Sequence, residues 1–155
     1  MQVSSDGLVG LSGVTIRRRA EKMVAALGLG PVELSIALVD DDTIHALNRD
    51  YRKKDKPTDV LAFAMEEGAP MKGAKNDLRL LGDVIVSIET ATRQAADSDR
   101  SLLDEVTMLV AHGLLHLLGY DHQDDAEERV MTAKTRELEA AAARRSRGGG
   151  TLSPR

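Results

Sequence analysis

The segment HGLLHLLGYDH, residues 112–122, holds three of the four histidines in this chain of 155 residues. His112 and His116 are four residues apart, so a helix would place both imidazoles on one face. Gly119 can adopt the left-handed conformation that ends a helix, which would let the chain turn and bring His122 back. Three imidazoles with one open position are typical of a catalytic zinc, whose bound water deprotonates near neutral pH. The spacing therefore predicts a reactive metal site at the end of a long helix.

Two other kinds of metal site fit the same segment less well. A structural zinc usually has four protein ligands, often cysteines, and this chain contains no cysteine. A zincin peptidase carries its general base, a glutamate, directly after the first histidine, and here that position is Gly113. The segment therefore favours a metal hydrolase that lacks the base of an ordinary metallopeptidase.

The composition is that of a globular chain with an aliphatic core, since 42% of the residues are hydrophobic and 2% aromatic. Neither a membrane span nor a signal peptide is predicted, and the absence of cysteine fits a reducing cytoplasm. The formal net charge of −4 means that contact with nucleic acid would need a local basic patch. With one Phe, two Tyr and no Trp, base stacking is expected to contribute little.

Hydrophobic periodicity predicts an α/β (α+β) fold, a single domain with a small mixed β-sheet packed against helices. Strands are predicted over 32–39, 60–65 and 80–88, with a weaker candidate in 1–10. Helices are predicted over 14–27, 43–51, 89–96 and 124–143, and a long one after Ser101 carries the histidines. A loop or hairpin connection is predicted over 66–76. The domain is expected to span 1–143, followed by a disordered basic tail over 144–155.

The most basic run of the predicted domain is RDYRKKDK, residues 49–56, with five cations and two acids. Most runs of this kind are solvated loops. An arginine fork can nevertheless hold a phosphate through two hydrogen bonds, and lysines add affinity that weakens with salt. The run is therefore a candidate phosphate-binding loop, if the fold brings its end beside the metal.

The histidine segment closely resembles the signature of the YbeY family, bacterial endoribonucleases and rRNA maturation factors. Two further blocks are similar to the family pattern, LNRDYRKKDKPTDVLAF at 47–63 and LGDVIVSIETATRQA at 81–95. The resemblance covers roughly residues 32–128. One departure is Ala62, which stands where the family often has serine.

The resemblance implies one zinc ion per chain, held by His112, His116 and His122, and a role for Arg52 in binding or cleaving RNA. It implies a single-strand-specific endoribonuclease of 16S rRNA 3′-end maturation and ribosome quality control. The expected partners are rRNA, in particular pre-16S rRNA, and proteins of the ribosome or its small subunit. The alternative is a ribosome-assembly factor that binds RNA and protein and contains a mainly structural metal.

The general base of such a reaction is not assigned by the residues. Asp59, Asp83 and Asp121 lie near the motifs, and each is expected to form hydrogen bonds that orient other groups rather than to act as the base. The fourth histidine, His45, is expected at the surface of its helix and is given no role.

Overall fold

A computed structural model of the chain describes residues 1–5, 11–65 and 78–144, which form four strands and five helices. In chain order these elements are β1 (Gln2–Ser5), α1 (Gly13–Ala26), β2 (Val32–Val39), α2 (Asp41–Arg52), β3 (Val60–Ala64), β4 (Arg79–Ser87), α3 (Ile88–Asp97), α4 (Leu102–Leu117) and α5 (Asp125–Ala143). The predicted fold class is confirmed. The loop predicted over 66–76 and the tail from 145 onward lie outside the described residues, so the tail and the domain boundary stay predictions.

The four strands form one mixed sheet in the order β1-β2-β4-β3. The strands β1, β2 and β4 are parallel, and β3 runs antiparallel to β4 at one edge. Because β3 pairs with one neighbour in the described part of the sheet, its outer side is available to the helices that pass it. This edge is where the ends of α2 and α4 meet.

The period of two along each strand divides the sheet into two apolar faces. On one face, Val84 and Val86 of β4 pack with α1, α4 and the rest of the main core, and Leu81 joins them because the register between β2 and β4 shifts at Gly82. On the other face, Ile85 packs into a smaller cluster with Ile44 of α2. The helix that carries Arg52 and the helix that carries the histidines therefore lie on opposite faces, with β3 between them.

Every helix in the described part of the chain begins after a serine or aspartate whose side chain accepts a backbone N–H three residues on. The cap predicted for the histidine helix is present, since the Asp104 N–H donates to Ser101 Oγ at 3.0 Å. The helix predicted over 43–51 is longer than expected and runs from Asp41 to Arg52. Asp40 caps the helix, and Asp41 and Asp42 form part of its first turn, where acids stabilise the positive end of a helix.

A polar cluster around Asp41 joins the start of α2 to the start of α3. Its carboxylate accepts from Ser87 Oγ at 2.6 Å, Thr90 Oγ1 at 2.7 Å and Arg93 Nη2 at 2.9 Å. Its own N–H donates to Glu89 Oε1 at 2.8 Å. Burial alone would raise the pKa of Asp41, but the three donors outweigh it and hold the pKa below the ordinary value. The two helix starts are thus joined into one unit.

No helix within the described residues combines the length and the apolar character that a membrane crossing requires.

Candidate metal centre

The helix α4 is buried on nearly every side. Ten of its 16 residues are buried, among them Leu109, Leu114 and Leu115. His112 and His116 are half-buried and four residues apart, so they share the side of α4 that opens towards solvent at the sheet edge. The core therefore fixes the helix that carries both imidazoles.

The packing around Gly113 explains why the residue after His112 is a glycine and not a glutamate. A Cβ at this position would lie 2.7 Å from Val84 Cγ1 of β4 and 3.4 Å from Val60 Cγ2 of β3. Both neighbours are β-branched side chains in the packed core and have little freedom to move. The position faces the sheet, so a side chain here would be forced into the core.

The turn after α4 brings the third histidine to the first two. Gly119 has a φ of +99°, and its N–H donates to the His116 carbonyl at 3.0 Å. The left-handed conformation ends the helix, as the sequence predicted. His122 follows three residues later, and its N–H donates to Asp121 Oδ1 at 2.7 Å. Asp121 therefore shapes the turn, which agrees with the structural role expected for it.

The three histidines converge on one point. One ring nitrogen from each of His112, His116 and His122 lies within 4.8 Å of the others. The Nε2 atoms of His112 and His116 are 3.2 Å apart. Ligands about 2.0–2.1 Å from a tetrahedral metal lie roughly 3.3 Å from each other, so this pair already has the spacing of such a site. A group of three imidazoles at this spacing can hold a metal ion.

The protonation of the cluster also suits a metal. Burial lowers the pKa of His112, and the nearby His116 and His122 rings lower it further. Burial and the His122 ring likewise lower the pKa of His116. Metal binding requires neutral imidazole, so a lowered pKa keeps these rings in the competent form at more acidic pH. Asp59 acts in the opposite direction on His112, as Asp121 does on His116.

A cleft of about 660 Å³ lies between the histidines, the edge strand β3 and the end of α2. Its lining includes all three histidines together with Arg52, Lys54 and Asp59. Residues from two opposite faces of the sheet thus meet at its edge. The arrangement places three candidate metal ligands, two cations and one acid around a single open volume.

The guanidinium of Arg52 is held by β3. One of its Nη atoms donates to the Ala62 carbonyl, and its central carbon lies 4.6 Å from the centre of the Phe63 ring. An arginine has five N–H donors, so one bond to Ala62 leaves further donors for a ligand. The positive charge of Arg52 contributes to the lowered pKa of His116, which places it close to the cluster. The small Ala62 side chain, in place of the family's serine, lines the same cleft.

Of the other residues considered in the sequence, Asp59 lies at the cleft, whereas Asp83 and His45 do not line it. Asp59 lines the cleft and accepts from Gln94 Nε2 at 3.2 Å, which is the kind of hydrogen bond expected for it. Asp83 lies on β4 opposite Phe63 and is not part of the cleft lining. His45 is remote from the other histidines and pairs with Asp55 at 2.7 Å.

Sequence reasoning missed a second cavity on the other side of the histidines. This cavity of about 330 Å³ adjoins His112 and His122 and runs between α4 and α5. Met131 and Thr135 of α5 line it four residues apart, as do Thr132 and Arg136. That spacing was a signal in the sequence, but an i,i+4 pattern does not show which neighbour a helix faces.

The family model described as endoribonuclease YbeY matches residues 13–142. The endoribonuclease YbeY of Pelotomaculum thermopropionicum is 48% identical over 124 residues, which cover 79% of this chain and 81% of that protein. The endoribonuclease YbeY of Aquifex aeolicus is 51% identical over 124 residues, covering 80% and 77%.

A solution structure of a Thermotoga maritima protein superimposes with a TM-score of 0.63 at 27% identity, covering 92% of this chain and 89% of that one. The matched region in the family comparison contains the whole cleft, from the basic end of α2 to the three histidines. The chain therefore belongs to the endoribonuclease YbeY family, and so to the nuclease class of hydrolases.

Proposed function

We propose that this protein is a zinc-dependent, single-strand-specific endoribonuclease that acts in 16S rRNA 3′-end maturation and ribosome quality control. The observation that carries the proposal is the shared cleft, in which three convergent imidazoles face a held guanidinium. Family membership supports RNA as the substrate, and the resemblance of the motifs to rRNA maturation factors supports ribosomal RNA and ribosomal partners.

In this proposal His112, His116 and His122 hold zinc, which supplies a deprotonated water and polarises a phosphoryl oxygen when it is bound. The chain fixes the ligands in two ways. The core sets the positions of His112 and His116 through α4, and the turn at Gly119 sets His122. The donor set is neutral nitrogen with no thiolate, which suits zinc with an open position.

Arg52 is the proposed phosphate clamp. Its bond to the Ala62 carbonyl and its contact with Phe63 restrict the guanidinium before substrate arrives, so less side-chain entropy is lost on binding. The remaining donors can grip two oxygens of one phosphate and stabilise the charge that develops there. Asp59, held by Gln94, balances part of the positive charge near His112.

The distribution of cations supports a single strand as the substrate. Among the described residues, the two cations that line the cleft, Arg52 and Lys54, both belong to one short run, 49–56. A protein that reads an RNA duplex contacts successive grooves over many base pairs, which one compact cluster does not offer. A flexible strand can instead bend its phosphates into the edge of the sheet.

The test compares variants on RNA that carries the 3′ end of 16S rRNA as a single strand or as a duplex. His112→Ala should lose both zinc and cleavage. Arg52→Ala should keep zinc content and melting temperature, while cleavage falls by at least about 100-fold, the effect of removing a donor to a developing charge. Arg52→Lys should rescue poorly because it lacks the planar fork. Full cleavage by Arg52→Ala, in protein free of contaminating nuclease, would reject the clamp.

A second function, ribosome-assembly factor with a mainly structural metal, is favoured by one observation. Two of the three proposed ligands project from the most deeply buried helix, so a metal there would also stabilise the fold. The same preparations separate the two functions. An assembly factor would bind rRNA in a metal-dependent way, and the zinc-loaded wild type would cleave neither the single strand nor the duplex.

A further inference from the structure

Two of the three aromatic residues in the chain lie together beside the cleft. Tyr51, in the last turn of α2, is 66% exposed. Its ring lies 5.7 Å from that of Phe63 at an interplanar angle of 69°. An edge-to-face pair of this kind holds a tyrosine in place while most of its surface remains in water. The scarcity of aromatics in the sequence therefore hides their concentration at one surface.

Phe63 connects this pair to the proposed phosphate clamp. The centre of its ring lies 4.6 Å from Cζ of Arg52 and 5.7 Å from the centre of the Tyr51 ring. Phe63 also packs against the cluster formed by Val39, Ile44 and Leu61, so it is anchored in the smaller core. Tyr51 thus stands next to Arg52 on a fixed support and just outside the cleft.

The charge around Tyr51 is positive. The run 49–56 holds five cations and two acids, of which Asp50 pairs with Arg49 at 3.0 Å and Asp55 is hydrogen-bonded to His45 Nε2 at 2.7 Å. Among the described residues, Lys53, Lys54 and Lys56 form no ion pair, and all three are exposed. An exposed aromatic ring beside unpaired cations is the arrangement with which proteins bind single-stranded nucleic acid.

We propose that Tyr51 is a stacking platform for an unpaired base of single-stranded RNA, next to the nucleotide whose phosphate Arg52 holds. The inference rests on the proposed function and adds a physical basis for strand selection. A base can lie on the Tyr51 ring only when it has left its own stack, so a duplex cannot use the platform. Because every base has a π face, the contact tolerates any sequence.

The first experiment uses the absence of tryptophan from the chain. Tyr51→Trp introduces a single fluorophore, and a 2′-O-methyl single-stranded oligonucleotide, which resists cleavage, serves as the probe. Stacking should quench the tryptophan emission as the oligonucleotide is added. The matched control is Val14→Trp on α1, an apolar residue of similar exposure at 65%, on a helix packed against the other face of the sheet. Equal or absent quenching in the two variants would overturn the proposal.

The second experiment separates stacking from a general surface contact. Tyr51→Phe should bind the oligonucleotide with the affinity of the wild type. Tyr51→Leu should bind it with about tenfold lower affinity and with an unchanged melting temperature. Replacing one nucleotide by an abasic unit should then weaken wild-type binding and abolish the difference between wild type and Tyr51→Leu, at one position of the strand. A difference that persists at every abasic position would contradict the platform.

These readouts also distinguish a failure of the platform from a failure of the nuclease. Specific quenching in Tyr51→Trp with no cleavage of unmodified RNA would support the platform and reject the proposed endoribonuclease. Normal cleavage by Tyr51→Leu, with unchanged affinity, would support the endoribonuclease and reject the platform.

Discussion

The helices α4 and α2 contribute the two halves of the cleft in opposite ways. Ten of the 16 residues of α4 are buried, whereas two of the 12 residues of α2, Ile44 and Asn48, are buried. The proposed metal half of the site is therefore part of the core, and the proposed RNA half is a surface beside it. The difference teaches that changes on α4 should alter metal binding and stability together, whereas changes on the exposed side of α2 should alter RNA binding and cleavage and leave metal content and stability intact.

The largest effect is expected from His116→Ala, which removes one of the three proposed metal ligands. Loss of groups that merely support a ligand costs about 10–100-fold in metal affinity or activity, so loss of a ligand should cost more than about 100-fold in cleavage. The melting temperature should also fall to that of chelator-treated wild type, because a metal that binds the folded state stabilises it. Elemental analysis and thermal melting are the measurements.

His45→Ala is the matched control for that variant, since His45 lies outside the cluster and pairs with Asp55. It should keep metal and activity. If the melting temperature of the wild type were the same with and without chelator, the metal half would not be coupled to the core.

The next largest effect should come from Gly113→Ala, which tests whether the core sets the histidines. The added methyl would meet Val84 Cγ1 at 2.7 Å. Overpacking of this kind costs about 1–3 kcal/mol of unfolding free energy, in spite of the better helix propensity of alanine. Metal affinity should fall as well, because α4 must shift.

Gly13→Ala on α1 provides the comparison for Gly113→Ala. A Cβ at Gly13 would lie 3.8 Å from the nearest atom, an ordinary contact. This variant should be neutral or slightly stabilising in urea denaturation. Equal stability of the two variants would show that α4 can move away from the sheet without cost.

A smaller effect is expected from pH in the metal-free protein. Since the pKa values of His112 and His116 lie below their ordinary 6.5 in the folded protein, the unfolded chain takes up protons first as pH falls. The free energy of unfolding should therefore decrease below about pH 6.5 and be level above it. The slope should stay well under the limit of about 1.4 kcal/mol per pH unit and histidine, because both rings are half-exposed.

Urea denaturation between pH 5 and 8 measures this slope, and His112→Gln should reduce it. A metal-free protein whose stability rose on acidification through the same range would contradict the lowered pKa values.

The smallest effect is expected from Lys54→Ala, which removes an exposed cation just after α2. Lys54 lines the cleft, and one lost phosphate contact on a single strand should reduce the slope of log K against log salt by about 0.7. Stability and metal content should not change. Lys53 is a poorer choice because its backbone is left-handed, with φ of 62°, so its replacement would also alter strain.

Lys134→Ala on α5 is the control for Lys54→Ala, since Lys134 is a surface lysine remote from the cleft that pairs with Glu137 at 3.5 Å. Its salt slope should equal that of the wild type. Identical slopes for both lysine variants would place the RNA backbone elsewhere on the protein.

The local parts of this molecule were predictable from sequence, and the juxtapositions were not. The spacing of His112, His116 and His122 around Gly119 involves eleven neighbouring residues, so helix geometry and the turn at Gly119 together bring the rings to one point. Caps and periodicity located most helices and strands to within two residues for the same reason. The position of Arg52 beside the histidines depends instead on β3 forming the sheet edge between α2 and α4, a contact between distant segments.

Two details of the basic run 49–56 also depend on contacts that the sequence does not reveal. The sequence predicts Arg52 in a loop, but it is the last residue of α2. The segment after it is held by buried Asn48, whose Nδ2 donates to the Lys56 carbonyl at 2.9 Å and whose carbonyl accepts from the Lys54 N–H at 3.2 Å. An asparagine on the inner side of a helix does not reveal which carbonyl it will bind.

The polar cluster around Asp41 holds one end of α2, and the other end of α2 lies at the cleft. Asp41 is the first residue of α2 and Arg52 the last, so the helix is a rod of 12 residues, with its pivot at α3 and its tip at the cleft. A rod about 18 Å long moves its tip by about 1 Å when it tilts by about 3°. A displacement of about 1 Å in a positioned group can cost 100-fold in rate. If Arg52 binds phosphate as proposed, its position at the edge of the sheet should therefore depend on the contacts of Asp41 with Ser87, Thr90 and Arg93 at the far end of the helix.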